Sequence, residues 1–281
     1  MPATSAAIRY NGPTMSAAAD PELPSLEREL LSVADEAARA AAVELMSRFG
    51  HRQAEIRAKS SPTDLVSEAD IAAETAIRTV LAGRRPRDAI LGEEGGATGD
   101  GELRWVIDPL DGTTNFLFGF PQFAVSVACE DGAGGLVGVV LDPVRDECFS
   151  ATRSGPPTLN GAAIACSPRP DLRTALVATG FSYDADERSR QAEVLGRVLP
   201  RVRDVRRAGA AALDLVWAAC GRVDAFYERG VKAWDIAAGS VIAQRAGMTV
   251  RSLPARQLEP AGIVAAPPAL ADELLALVLG A

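Results

Sequence analysis

The chain is short of the side chains on which several kinds of chemistry depend. Histidine occurs once, as His51. A Ser-His-Asp triad would have to use that residue, and neither an H-E-x-x-H zinc helix nor two-histidine phosphoryl chemistry can be assembled. His51 follows Gly50 at an expected helix end, where a surface residue complementing the helix dipole is the simpler reading. Cysteine occurs at 129, 148, 166 and 220 and never as C-x-x-C. That spacing disfavours a zinc site or a redox dithiol and fits reduced thiols in a cytoplasmic protein. No cysteine has an arginine six positions later, so the phosphate loop of a cysteine-nucleophile phosphatase is missing. No apolar run is long enough to span a bilayer, and residues 1–24 lack the basic start and apolar middle of a secretory signal. Rich in Ala, Ser, Thr and Pro, those residues are expected to form a flexible tail.

What the chain does carry is acid. Asp and Glu number 37 against 29 Lys and Arg, a formal net charge of −8. This balance disfavours nucleic-acid binding as the main activity and suits a protein that collects divalent cations. With 281 residues, 48% of them hydrophobic, it can bury one large core or two modest ones. Its most pointed stretch is Trp105-Val-Ile-Asp108-Pro-Leu-Asp111-Gly-Thr-Thr-Asn-Phe116. Residues 105–107 read as the end of a buried strand. Two carboxylates so close repel, and burial would leave one neutral unless a cation holds both charged, so a metal site is one reading. Pro109 and Gly112 also suit an ordinary turn, and the stretch alone does not choose.

Ser25 is a candidate cap for a helix to about Phe49, with Leu26, Leu30, Val33, Ala37 and Ala40 on one face and Gly50 closing it. A polar loop holding Lys59 and Asp64 leads to a helix over about 67–81, where Ser67 and Asp70 resemble a capping box. Residues 89–91 predict a short strand running into Gly92-Glu93-Glu94-Gly95-Gly96, whose glycines would let one glutamate point inward. Strands at 123–129 and 136–141 are joined by a glycine-rich segment that reads as a hairpin turn, since no helix start follows it. From about 172 onward the pattern alternates: strands at 175–179, 223–227, 248–251 and 262–266, helices at 187–199, 208–220, 234–246 and 268–279. This predicts a metal-binding α+β half over 25–167 and an α/β half over 168–281 that completes the site. Asp235, after Trp234, stands where a helix N-cap belongs. Arg201, Arg203, Arg206 and Arg207, interrupted by Asp204, read as a solvated face or a subunit contact.

Gly-Glu-Glu at 92–94, Asp-Pro-Leu-Asp-Gly-Thr-Thr-Asn-Phe at 108–116 and Trp-Asp-Ile-Ala-Ala-Gly at 234–239 together closely resemble the inositol monophosphatase family, among the lithium-sensitive, magnesium-dependent sugar phosphatases. The likeness runs from about Leu26 to the C-terminus. It implies an α/β fold of the sugar-phosphatase type, a five-layered α-β-α-β-α sandwich with a mostly antiparallel first half, and a homodimer. It implies two or three Mg²⁺ ions: Glu93, Asp108 and the Leu110 carbonyl on the first, Asp108, Asp111 and Asp235 on the second, Glu93 with waters on a weaker third. Oxygen-only ligands are what magnesium prefers.

The same resemblance makes Asp70 and Thr113 a catalytic dyad that, with Glu93, orients a metal-activated water to hydrolyse inositol monophosphate. Backbone N–H groups of Gly112 and Thr113 would cradle the phosphate. Glu228 would accept a substrate hydroxyl, Ala211 would touch the sugar ring, Asp111 and Asp235 would also face the substrate, and Lys59 and Asp64 would ride a mobile loop near the metals. Two departures bear on substrate preference and loop shape. Phe118 stands where many relatives carry histidine, and Pro156-Pro157 replaces Gly-Ala ahead of Asn160-Gly161. The same chemistry on fructose 1,6-bisphosphate, histidinol phosphate or a nucleotide phosphate is the alternative, as is a regulatory binding role beside catalysis.

Overall fold

A computed structural model gives the fold for residues 24–50, 56–58, 65–256 and 259–280. Residues 1–23 of the expected tail, His51, Lys59 and Asp64 lie outside the described residues. Helix α1 (Ser25–Arg48) is followed by a short antiparallel pair, β1 (Ile56–Ala58) and β2 (Leu65–Ser67), and by helix α2 (Glu68–Arg84). Next come β3 (Ala89–Gly92), β4 (Gly96–Thr98), β5 (Arg104–Asp111) and the short helix α3 (Thr113–Leu117). Strands β6 (Ala124–Asp131), β7 (Gly134–Asp142), β8 (Glu147–Thr152), β9 (Thr158–Leu159) and β10 (Ala162–Ala163) complete the first half. The sheet order is β10-β9-β8-β7-β6-β5-β3-β4, antiparallel except where β3 lies beside β5.

The second half contributes β11 (Leu176–Thr179), α4 (Ala185–Val198), β12 (Asp204–Arg206), α5 (Ala211–Ala219) and β13 (Ala225–Arg229). It ends with α6 (Ala233–Arg245), β14 (Thr249–Leu253), β15 (Gly262–Ala266) and α7 (Pro268–Leu279). Its sheet, β12-β11-β13-β15-β14, is parallel around β11 and antiparallel around β15. Helices α1 and α2 cover one face of the larger sheet, α5 and α6 lie between the sheets, and α4 and α7 cover the outer face of the smaller one. The fold is thus the expected five-layered α/β sandwich. Among the described residues no helix is long and apolar enough to cross a membrane.

The central strands read as unbroken apolar runs because both of their faces are covered. Trp105, Ile107, Val125, Val127, Cys129, Val137 and Val139 alternate towards α1 and α2, each fully buried. On the other face stand smaller side chains, Ala124, Ser126 and Ala128, with Gly138 beside them, and this lets α6 come close. At Gly138 an added Cβ would run into the backbone of Ala238, 2.9 Å from its Cα. The position of α6 is therefore set by the lack of side chain beneath it.

Several expectations are corrected. Strand β5 does not end at Ile107 but runs on to Asp111, its pairing with β6 shifting between Asp108 and Asp111. Pro109 cannot donate to a ladder, which is why the irregularity falls there. Ser25 is the first helical residue rather than the cap; Pro24 precedes it, and no side chain caps α1. Leu26 is exposed and Ala40 half-buried, while Leu30, Val33 and Ala37 are buried as expected, on a face completed by Ala34, Ala41 and Leu45. Asp235 is the third residue of α6, not its cap, and accepts a hydrogen bond from the Lys232 N–H at 2.7 Å. Strand β8 is not legible in the sequence, because Glu147-Cys-Phe-Ser-Ala-Thr152 carries too little apolar alternation to announce itself.

Candidate active site

Gly112 converts the end of β5 into the start of α3. Its φ of 96° favours glycine, and a Cβ there would lie 2.9 Å from the Gln122 carbonyl oxygen. Five residues make no stable helix unaided. Helix α3 is held by Phe116, packed with Phe49 and Phe123 at ring separations of 5.6 and 5.1 Å. Asn115 anchors it on the other side, donating through Nδ2 to the carbonyls of Gln122 (2.8 Å) and Ala208 (2.9 Å). Sequence reading gave Asn115 no task; its place in the motif was its sole signal.

Asp70, fully buried, divides its two oxygens between two tasks. Oδ2 accepts from the Ser67 N–H (2.8 Å) and hydroxyl (2.7 Å), completing the capping box of α2. Oδ1 accepts from Thr113 Oγ1 at 3.0 Å, and that hydroxyl also lies 3.1 Å from the Leu110 carbonyl. The helix cap and the hydrogen bond to Thr113 therefore take one oxygen each.

Glu93 follows β3 and lines the cleft, whereas Glu94 does not. The loop is clamped by Glu74, a buried residue of α2 that the sequence reading overlooked. Its carboxylate accepts from the N–H groups of Glu94 and Gly95, both at 2.8 Å, and pairs with Arg78 at 2.7 Å. Its only signal was the i,i+4 spacing to Arg78. Asp108 accepts from the Leu110 N–H (3.0 Å). Asp111 receives the N–H groups of Ala211 (3.2 Å) and Ala212 (2.7 Å) at the start of α5. Helix dipole and amides there favour a carboxylate.

Glu93, Asp108, Leu110, Asp111, Gly112 and Thr113 meet in a cleft of about 500 Å³, together with Ala211, Glu228 and Asp235. Its acid is crowded. Burial pushes Asp108 well above the carboxylate range, and the charges of Glu93, Asp111 and Asp235 push further. Burial and then Asp235 raise Asp111 to about 8, against the opposing pull of the two α5 amides. Glu228 is raised by burial and by Asp214, Asp235 and Asp111, with Arg207 opposing. Asp214, unnoticed in the sequence, is buried on α5 behind Asp111.

Among the described residues no three Asp, Glu, His or Cys side chains are closed up as a finished metal-holding group. Asp108 is hydrogen-bonded to Glu93 and Asp111 is turned to the amides. The donor chemistry nonetheless fits a hard divalent cation: carboxylates and one carbonyl, all oxygen, with Asp108, Leu110 and Asp111 buried and Glu93 and Asp235 half-buried.

The expected site residues from Asp70 to Asp235 are thus brought together, apart from Lys59 and Asp64, which lie outside the described residues. The basic cluster splits. Arg201, Arg203 and Arg206 face Glu273, the Thr174 carbonyl and Asp204, while Arg207 lines the cleft.

The sequence model of the inositol monophosphatase family matches residues 26–279. The chain is 45% identical over 242 residues to inositol-1-monophosphatase SuhB of Mycobacterium tuberculosis, covering 82% of this chain and 83% of that protein. It is 43% identical over 226 residues to Nus factor SuhB of Pseudomonas aeruginosa, covering 78% and 83% respectively. The crystal structure of extragenic suppressor protein suhB from Bartonella henselae superposes with a TM-score of 0.82 at 34% identity, covering 89% of this chain and 98% of that one.

Proposed function

The chain belongs to the inositol monophosphatase family, and we propose that it is a Mg²⁺-dependent phosphomonoesterase that hydrolyses inositol monophosphate to inositol and phosphate. One observation carries the reading: an all-oxygen cluster of Glu93, Asp108, Asp111 and Asp235, the middle two buried and the outer two half-buried, in which burial and then the neighbouring carboxylates push Asp108 and Asp111 above their ordinary range. Such a cluster is held at a cost until a divalent cation compensates it.

Glu93, Asp108, Asp111, Asp235 and the Leu110 carbonyl would hold the magnesium. When bound, the metal supplies positive charge that stabilises the phosphoryl oxygens and the leaving alkoxide. The protein's own groups do the rest. Asp70 Oδ1, accepting from Thr113 Oγ1, turns the hydroxyl oxygen's lone pairs towards an incoming water, so that its proton is held as it attacks phosphorus in line. N–H groups of Gly112 and Thr113, at the head of α3, cradle the phosphate. Glu228 accepts a hydroxyl of the polyol, and Ala211 bounds its ring.

The test is phosphate release from inositol 1-phosphate with Mg²⁺. Activity that persists undiminished in excess chelator, or in Asp108→Asn, overturns the proposal. The relatives named Nus factor SuhB favour a second role, binding a partner beside catalysis. A catalytically dead variant that still rescues a deletion phenotype would point to it.

A further inference from the structure

Three basic side chains line the acidic cleft. Arg229 is buried and committed, donating to the carbonyls of Pro254 and Pro260 and pairing with Glu259 at 3.1 Å. Arg207 and Lys232 are exposed, and neither side chain makes a hydrogen bond or ion pair with another described residue. A free guanidinium on the wall of a cleft that otherwise carries acid has a placement to explain.

That placement is specific. The guanidinium of Arg207 lies over Gly209, so closely that a Cβ at 209 would collide with Nη1, and the same point is 3.0 Å from Asn115 Nδ2. Gly209 has a φ of 89° and so favours glycine for its backbone as well. The arginine is thereby stationed at the seam between α3 and the start of α5, beside the phosphate cradle, and its field reaches Glu228 and Asp214.

Glu228 can accept from a polyol hydroxyl but offers nothing to an anion, whereas the guanidinium of Arg207 is the stronger match for one. Guanidinium presents five donors in a planar fork that matches a carboxylate or a phosphate. Lys232, at the head of α6 on the same rim, adds a second positive charge. The chain has only one other lysine, Lys59.

We propose that Arg207, assisted by Lys232, forms a second anion subsite, so that the preferred substrates are phosphomonoesters carrying a further phosphate or carboxylate group. This rests on the phosphomonoesterase chemistry proposed above and moves its preferred substrate from inositol monophosphate, which is still turned over, to esters with a second anionic group.

The experiment compares kcat/KM for inositol 1-phosphate, fructose 1,6-bisphosphate and 6-phosphogluconate, with Mg²⁺, in the wild type, Arg207→Ala, Arg207→Lys and the neighbouring Arg206→Ala. In the wild type one or both doubly anionic substrates should exceed inositol 1-phosphate about tenfold or more, and which of them does so tells phosphate from carboxylate. Loss of a charge-assisted hydrogen bond predicts that Arg207→Ala lowers kcat/KM for that substrate about 10- to 100-fold, chiefly through KM. Inositol 1-phosphate should change less than about threefold, Arg207→Lys should fall between, and Arg206→Ala should match the wild type. Equal losses on all substrates, or no preference in the wild type, overturn the subsite while leaving the phosphomonoesterase reading intact. No turnover of any phosphomonoester overturns both.

Discussion

The contact between Gly138 and α6 can be tested by adding a single methyl group at a position that does not line the cleft. In Gly138→Ala the new Cβ would fall 2.9 Å from Ala238 Cα and 3.0 Å from its carbonyl carbon, and nearer still to the carbonyl oxygen. Carbon atoms pack at about 3.5–4.0 Å, so α6 or β7 must give way by roughly 0.5–1 Å. Neither can do so freely. Strand β7 is paired along both edges, to β6 and β8, and Ser126 Oγ holds the Trp234 carbonyl of α6 at 3.1 Å. Overpacking of this kind costs about 1–3 kcal/mol of stability. Asp235 lies one turn before Ala238 and moves with the helix, and a misplacement approaching 1 Å at a catalytic group costs up to about 100-fold in rate. Urea unfolding and phosphate-release kinetics measure the two effects. The control is Gly196→Ala on the exposed face of α4, where nothing lies within 4 Å of the new Cβ. There the substitution should stabilise by about 0.5–1 kcal/mol and leave activity alone. Wild-type stability and activity in Gly138→Ala would refute the claim that this contact places Asp235.

Asp108→Asn should lower phosphatase activity about 100-fold or more, yet raise the melting temperature of the chelator-treated protein at pH 8, because the folded state no longer has to bury that charge or take up a proton to avoid it; an unchanged or lower melting temperature counts against the crowding. In the metal-free protein the folded state keeps a proton on Asp111, whose pKa is raised to about 8, that the unfolded chain has lost above about pH 4. Stability without metal should therefore fall as pH rises from about 4 to 8, and Mg²⁺ should restore it most at the alkaline end. Thermal unfolding across that range with chelator and with Mg²⁺ decides, and a magnesium effect independent of pH refutes it. Thr113→Val and Asp70→Ala should each cost about 100-fold or more in kcat, but the double variant no more than the worse single one, since both remove the same 3.0 Å hydrogen bond. Multiplying losses would separate the two residues.

Local chemistry wrote much of this protein into its sequence. Apolar runs at 105–107, 123–129 and 136–141 mark strands covered on both faces, the 3.6-residue period marks α1, α2 and α7, and Ser67 with Asp70 marks a helix start. The motifs at 92–94, 108–116 and 234–239 carried the family resemblance and hence the five layers. None of that reaches across the chain. Asp108 to Asp111 proved to be strand rather than turn because β6 pairs with it, and Asp111 finds its hydrogen-bond donors in amides 100 and 101 residues away. Asn115 ties α3 to a carbonyl 93 residues on. Arg207, to all appearances one of four surface arginines, was set on the cleft wall by the turn at Gly209. Periodicity and turn preference act over a few residues, whereas these placements depend on which surfaces meet when the sheets and helices pack, and only the folded chain brings those surfaces together.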